Sequence, residues 1–450
     1  MKHRPRRSLR WRLTCAGASL GALALAVAVF LLVFGGAILN GYGKPKAERA
    51  FAAAHPGLSL QIDTLEYSWS ANRLVARSVT LRGSNTTLQV GRISLTGVHW
   101  VPLLWGAAVP ADVLAQASLD ATNLNVELQL AGYEIRCGRL RASVPDSHLI
   151  AEEVELRPWM EDEAFFAARD FRRTRFHVVV PECRVQDLAY DELLAGRSYR
   201  AGSVQVSRPA FDALVNWDKP VPPFAATPLM VHEALASIRQ PLQVGSLSIT
   251  NGLLRYCERR AIGSDPAVLT FGALSLSVQG LANQPGPNTA IQVHGQGDLM
   301  NAGTLKVRLS IPVTPSDFSL HYSGSLSAMD LTRLNAFLDT AEYLRIKSGT
   351  VQEAAFEINV TASQALGFVQ ATYADLEIAL LDHQNGTEKG LDNRVASLLA
   401  NVLKVRNSND PDASRAMTVG EVSYTRSPDD EFQQFLWFAL RTGVLDVISH

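Results

Sequence analysis

Beyond residue 57, apolar and polar positions alternate with a period of two, which is typical of β-strands that bury one face. The clearest runs are Leu58-Leu60-Ile62, Val79-Leu81, Leu124-Val126-Leu128-Leu130 and Val307-Leu309-Ile311. The positions between them are mostly Ser, Thr, Asn and Gln, with some charged residues. One apolar face and one wetted face indicate antiparallel strands. Most gaps between the runs are too short for the helix that a parallel connection needs.

A short sequence motif recurs along these strands: a glycine followed by apolar residues two and four positions later. It occurs at Gly91, Gly138, Gly202, Gly245, Gly272 and Gly420. We predict that each glycine supplies the positive φ of a tight turn before a new strand. The irregular spacing argues against a propeller or a strict solenoid and favours a meander, in which hairpins are added one after another.

Helical periodicity is predicted at residues 46–54, 161–173, 329–344, 391–405 and 430–448. The last of these is strongly apolar, with Phe432, Phe435, Trp437 and Phe438 in its first half, although Gly443 interrupts it. We interpret it as a helix that caps the end of the sheet. Docking to a bilayer or to a partner is the alternative. The prolines at 220–223 suggest a break in the chain.

Residues 13–39 carry no charge and include Ala24, Val27, Phe30 and Leu32. As a helix they reach roughly 40 Å, enough to cross a hydrocarbon core of about 30 Å. Six of the 42 Lys and Arg residues lie in positions 1–12, so the positive-inside rule places the N-terminus in the cytoplasm. A cleaved signal peptide is the alternative, but its apolar run is usually about 7–15 residues with an A-x-A-like site. We therefore predict an uncleaved single-pass anchor.

Composition and motifs argue against an enzyme or a nucleic-acid binder. The formal net charge is −1, which excludes a broadly basic nucleic-acid binder. The chain has no H-E-x-x-H, Walker A or EF-hand motif, and its ten histidines are scattered. We predict no catalytic residue, no metal ligand and no cofactor. Cys137, Cys183 and Cys257 lack metal-binding spacing, so we expect small apolar strand residues, with at most one bridge.

A basic N-terminus, one membrane helix and a long β-rich body resemble the AsmA-like proteins of Gram-negative envelopes, the AsmA/TamB type. The resembling phrases lie at residues 90–95 with 103–106, at 244–252 and at 323–338, followed by 346–349. The resemblance implies a repeating β-groove, U-shaped in section, with an apolar floor along which acyl chains slide. It also implies an inner-membrane anchor, a periplasmic body and phospholipid as the partner.

The expected fold is mainly β: a single transmembrane helix, then a long, twisted antiparallel sheet curled into a groove, with a few short capping helices. The expected segments are a cytoplasmic basic tail (1–12), the transmembrane helix (13–39), two groove segments (40–218 and 219–429) and an apolar helix (430–450). The candidate floor residues are Leu60, Ile62, Val79, Leu81, Ile93, Leu95, Leu124, Val126, Leu128, Leu247, Ile249, Leu274, Leu276, Val307 and Leu309.

The sequence therefore predicts a non-enzymatic protein that binds and conveys phospholipid and supports outer-membrane homeostasis. An apolar sheet face must be covered by a second sheet, by helices or by ligand, so a closed sandwich core is the competing structure. The competing function is a non-catalytic assembly factor that pairs exposed strand edges with an outer-membrane β-barrel or another envelope partner. No nucleic acid is expected as a partner.

Overall fold

The structure is a computed structural model that describes residues 41, 44–68, 71–98, 113–168, 170–220, 227–284, 290–313, 318–381, 405–411 and 417–449. The predicted tail (1–12), the membrane helix (13–39) and the predicted helix 391–405, except its last residue, lie outside these ranges. Within the described ranges, no helix has the length and apolar character needed to cross a membrane.

The described chain is mainly β, as predicted, and its seventeen strands belong to one sheet. The strands are β1 (Ser59–Ser68), β2 (Arg73–Arg82), β3 (Thr86–Thr96), β4 (Ser118–Leu128), β5 (Tyr133–Ser143), β6 (His148–Pro158), β7 (Thr174–Gln186), β8 (Tyr199–Ser207), β9 (Ala210–Asn216), β10 (Leu242–Arg259), β11 (Ala267–Ala282), β12 (Ala290–Leu299), β13 (Gly303–Pro312), β14 (Ser319–Asp330), β15 (Leu344–Thr361), β16 (Gln364–Leu380) and β17 (Val419–Thr425).

Strand pairing follows the predicted meander over most of the sheet. Each of β1 to β5 pairs antiparallel with the next strand, and so does each of β11 to β16. The central strands depart from it: β9 pairs parallel with β10 and also pairs with β7, while β8 pairs with β10. The antiparallel prediction is therefore confirmed for β1 to β6 and for β11 to β17, and the exceptions lie at the central strands, where β9 and β8 run parallel to β10.

The chain divides into two compact units. Unit 1 comprises Met1–Trp159, Val179–Gln205 and Gln240–Val244, and unit 2 comprises Met160–Val178, Val206–Arg239 and Gly245–His450. Strands β7, β8 and β10 contribute residues to both. The groove segments predicted at 40–218 and 219–429 stay a prediction.

In the described part of the chain, six helices accompany the sheet: α1 (Lys44–Ala54), α2 (Asp162–Ala167), α3 (Tyr190–Leu194), α4 (Val231–Ala236), α5 (Asn335–Ala341, after a 3-10 turn at Leu331–Leu334) and α6 (Phe432–Ser449). The helices predicted at 46–54 and 430–448 are confirmed, and Gly443 does not interrupt α6. The helix predicted at 161–173 was too long. It ends at Ala167, and β7 begins at Thr174; the Nε of Arg175 in β7 donates to Asp162 Oδ1 at 2.8 Å.

The prediction for the recurring glycines was wrong. All six lie inside strands, and none has a positive φ. The positive φ belongs to a residue opposite the glycine: Asn123 (φ 55°) faces both Gly91 and Gly138 in register, and Glu153 (φ 54°) faces Gly138. A Cβ on Gly138 would lie 3.0 Å from the Cβ of Glu153. Gly91, Gly138 and Gly202 therefore provide room for a neighbouring side chain.

Asn123, Glu153 and the glycines opposite them form a row across the strands. At this row the alternation of apolar positions shifts by one residue in each strand. On either side of it, residues three apart face the same way, as in Val90 and Ile93 of β3 or Ala121 and Leu124 of β4. A regular strand would place such residues on opposite faces. Because the row lies in register across β2 to β6, every strand changes phase at the same level, and the apolar face stays continuous.

Candidate functional site

In unit 1, the register of β1 to β6 brings the apolar side chains onto one face. Across β4 to β6, for example, Leu124 pairs with Cys137 and Cys137 with Val154. The members of this face in β4 to β6 are Leu119, Ala121, Leu124, Val126, Leu128, Tyr133, Ile135, Cys137, Leu140, Ala142, Leu149, Ala151, Val154 and Leu156.

Over β1 to β3 this face is a closed core. Ile62 is 0% exposed and Leu65 is 1% exposed, and both pack in a cluster with Phe51 of α1 and with Val113 and Leu114. The candidate floor residues Leu60, Ile62, Val79, Leu81 and Leu95 are all buried in this core, and Ile93 packs against it. These positions therefore give no accessible surface to a ligand.

Over β4 to β6 the same face is not closed. The candidates Leu124, Val126 and Leu128 are half-buried, and so are Ile135, Leu140, Val154 and Leu156, which sequence reasoning missed. Residues 148–158 do carry the signal, because their apolar positions follow the same alternation. Only Ala121 and Tyr133 of this part of the face are buried.

The opposite face of β4 to β6 is charged; most of its arginines are partly exposed, whereas Glu134 is buried. Arg139 donates twice to the carboxylate of Asp120, at 3.0 and 2.7 Å, and this hydrogen bonding lowers the pKa of Asp120. Arg141 pairs with Glu152 at 2.5 Å and Arg157 with Glu134 at 2.6 Å. Cross-strand pairs of this kind are stable in water and do not call for a cover.

Unit 2 repeats the arrangement. Its candidates Leu247, Ile249, Leu274, Leu276, Val307 and Leu309 are all half-buried. Two of the leucines lie over glycines of β12: the Cδ1 of Leu276 is 3.4 Å from where a Cβ on Gly295 would be, and the Cδ1 of Leu274 is 3.3 Å from that of Gly297. The glycines let the leucines lie flat across the neighbouring strand, which leaves an apolar surface with little relief.

Towards the C-terminus this face closes under α6. Val422 and Ile358 are 0% exposed, beneath a stripe of α6 formed by Phe435, Ala439, Gly443 and Val447 at intervals of four residues. Close approach depends on Gly443, because a Cβ there would lie 2.5 Å from Val422 Cγ2. Of the α6 candidates, Phe435 is in this core, Phe432 and Phe438 are half-buried, and Trp437 is 45% exposed. The capping interpretation is therefore the one that fits α6.

Helices also lie at the two ends of the unit 2 strands. At one end, α5 contacts both β11 and β15, the ring of Phe337 lies 6.1 Å from that of Tyr256, and Arg260 Nε donates to Thr340 O at 3.2 Å. At the other end, beside α4, Asn283 Nδ2 donates to Ile238 O at 2.8 Å and His232 stacks on Phe318 at 5.3 Å.

A buried polar cluster lies beside α5. The hydroxyl of Tyr256 donates to Glu258 Oε1 at 2.7 Å, and Arg441 of α6 lies 3.8 Å from Glu342. Burial raises the pKa of both Glu258 and Glu342, although the nearby Arg260 opposes the rise in each case. Such a cluster ties β10, α5 and α6 together.

Several outward backbone groups of β1 and β17 are already satisfied. In β1, the N–H of Ile62 donates to Glu48 of α1 at 2.9 Å. In β17, the N–H of Glu421 donates to Asp446 at 2.8 Å and that of Ser423 to Thr442 at 3.3 Å, both in α6.

The remaining predicted positions are settled only in part. The anchor candidates Ala24, Val27, Phe30 and Leu32 lie outside the described residues. Cys137, Cys183 and Cys257 are free thiols within strands, as expected for small apolar strand residues. Among the described residues, no three His, Cys, Asp or Glu side chains are grouped so that they could hold a metal ion.

Comparison with known proteins adds no assignment. No protein-family model matches the chain, and no curated protein is similar to it. The resemblance to AsmA-like proteins therefore contributes to the functional argument only as an expectation.

Proposed function

We propose that this protein binds the acyl chains of membrane phospholipids on the half-buried apolar faces of β4 to β6 and of β10 to β13, and conveys them within the cell envelope. The observation that carries the proposal is a contrast within each unit. The apolar face is covered beside α1 in unit 1 and beneath α6 in unit 2, whereas β4 to β6 and much of β10 to β13 keep half-buried apolar side chains; Ile291 and Ile311, at one end of β12 and β13, are buried.

The energetics favour an apolar ligand at these strands. Large apolar surfaces left open to water mark interaction sites in soluble proteins. Each methylene moved from water onto such a surface gains about 0.8 kcal/mol, so one acyl chain gains several kcal/mol without any specific polar contact. The charged opposite face of β4 to β6 is already stable in water, so only one side of the sheet calls for a cover.

The helix α5 supports a curled sheet in unit 2. Strands β11 and β15 are four steps apart, which is about 19 Å in a flat sheet. The helix has seven residues, about 10 Å in length, yet it contacts both strands. We propose that β11 to β15 curl towards their apolar face, and the contacts of α5 with both strands support this.

We further propose that residues 13–39 anchor the protein in the inner membrane of a Gram-negative cell, with the body in the periplasm. The uncharged run and the basic residues before it support this placement, and the resemblance to AsmA-like proteins agrees with it.

The test uses Cys137, whose thiol lies on the proposed face between Leu124 and Val154. The full chain in mild detergent is alkylated with and without added phospholipid, and the modification of each cysteine is followed by peptide mass spectrometry. We expect phospholipid to copurify and to slow alkylation of Cys137. An Arg136→Cys variant gives the matched control, because residue 136 is exposed on the opposite face. Equal protection at both positions, or none at Cys137, would contradict the proposal.

A further inference from the structure

One cleft in unit 1 adjoins the open face of β4 to β6. It has a volume of about 440 Å³ and lies between Leu114, the turn at Val144 and Ser147, and the segment that contains α3. Its apolar wall includes Leu114, Val144 and Leu194. These side chains belong to the same hydrophobic cluster as Leu124 and Leu140 of the open face. An acyl chain on that face would therefore bring its polar end towards the cleft.

The charges around the cleft are unequally compensated. Arg200 directs its Nε and Nη2 to the carboxylate of Glu192, and these hydrogen bonds lower the pKa of Glu192 to about 2. Asp191 pairs with Arg197 at 3.3 Å. Asp187 also lines the cleft, but it has no ion-pair partner among the described residues. Asp187 is exposed to water, so its carboxylate is hydrated and open to a ligand.

The backbone holds Asp187 in an unusual conformation. Its φ is 52°, a left-handed value that residues other than glycine seldom adopt. Its carboxylate lies over Gly202, where any Cβ would collide with it. Glu153 opposite Gly138 shows the same arrangement, in which a strand glycine leaves room for the side chain of a left-handed neighbour. The position of the carboxylate is thus set by two residues together.

We propose that this cleft receives the headgroup of an amine-bearing phospholipid, with the ammonium group on Asp187 and the phosphate beside the free Nη1 of Arg200. The inference rests on the proposed function, because the acyl chain of the same lipid lies on the face of β4 to β6. The ammonium of a zwitterionic headgroup pairs with Asp187, whereas a purely anionic headgroup leaves Asp187 unpaired. Arg200 is already paired with Glu192 and offers the phosphate only its Nη1.

The experiment offers the full chain, in uncharged detergent, equal amounts of phosphatidylethanolamine and phosphatidylglycerol with identical acyl chains. Native mass spectrometry gives the total bound lipid and the ratio of the two. We expect enrichment of phosphatidylethanolamine. We also expect Asp187→Asn to lower that ratio about fivefold, the size of a partly exposed ion pair, without changing the total. Asp191→Asn is the matched control and should leave the ratio unchanged.

The outcomes separate the two proposals. If lipid binds without headgroup preference, or if Asp187→Asn keeps the preference, the headgroup site is wrong and the acyl face stands. If no lipid binds, both are wrong. Water-soluble glycerophosphoethanolamine at the same concentration should not displace the lipid. Displacement would mean that the cleft binds a soluble amine, which would overturn the headgroup proposal.

Discussion

Introducing a carboxylate should distinguish the open part of the apolar face of unit 2 from the closed part. Val307 in β13 and Val422 in β17 lie on the same face of the sheet by register. Val307 is half-buried, whereas Val422 is 0% exposed beneath α6. Arg308 follows Val307 in the strand and is exposed on the opposite face. We consider the change to Glu at each of these three positions.

The expected costs differ by several kcal/mol. At position 422 the carboxyl group cannot reach water, and a buried carboxyl whose pKa rises by about 3–5 units is largely protonated at neutral pH, which costs about 3–4 kcal/mol. This is a large part of the roughly 5–15 kcal/mol that stabilises a typical fold. At position 307 the carboxylate reaches water, so the loss is about half of a valine's burial, roughly 1 kcal/mol. Arg308→Glu should be close to neutral.

Thermal unfolding by circular dichroism and native mass spectrometry of bound phospholipid measure the two effects. Val422→Glu should unfold or lose the packing of α6. Val307→Glu should fold but lose bound lipid, because acyl carbon then lies against a charge, and Arg308→Glu should keep both. The reasoning fails if Val307→Glu is as unstable as Val422→Glu, since the face would then be covered by protein. It fails also if Val307→Glu retains lipid at the level of the control.

Three further predictions concern packing and pH. Gly138→Ala should destabilise unit 1 by about 1–3 kcal/mol in urea unfolding, and adding Glu153→Gly should restore most of the loss. Gly443→Ala should destabilise the packing of α6 in the same assay despite the roughly 1 kcal/mol better helix propensity, with relief when Val422→Ala is added. Burial raises the pKa of Glu258, so its ionised form costs stability above its usual pKa of 4.5, and stability falls as the pH rises through the raised value. Glu258→Gln should therefore raise the melting temperature more at pH 8 than at pH 5.

The sequence predicts the strands and their apolar faces well, but it does not predict which faces are open. Ile62 and Val126 are both apolar residues in runs that alternate with a period of two, so the pattern gives them the same prediction. Ile62 is fully buried because α1 and Val113 cover it, and Val126 has no such cover among the described residues. Coverage depends on contacts between segments distant in the chain, which periodicity does not encode. Some of the floor residues predicted from alternation alone are therefore buried in the hydrophobic core.

The role of the glycines could have been found from the sequence. Apolar residues three apart flank the row, as with Cys137 and Leu140 around Gly138, and a strict period of two forbids that spacing on one face. This change of spacing marks a residue that departs from the extended conformation. A glycine on the adjacent strand provides the space for its side chain. A turn was predicted instead because glycine more often provides positive φ than space.

The alternative function, an assembly factor that pairs its strand edges with a partner, requires a different structural feature. Pairing with an outer-membrane β-barrel needs free backbone N–H groups on an edge strand. In β17 those of Glu421 and Ser423 are bound by Asp446 and Thr442 of α6, so a partner strand would first have to displace α6 and expose its apolar stripe. An acyl chain on β10 to β13 needs no such rearrangement. Replacing Asp446 and Thr442 with Ala should therefore leave bound phospholipid unchanged, whereas a strand-edge mechanism requires that crosslinking of β17 to a barrel partner increase.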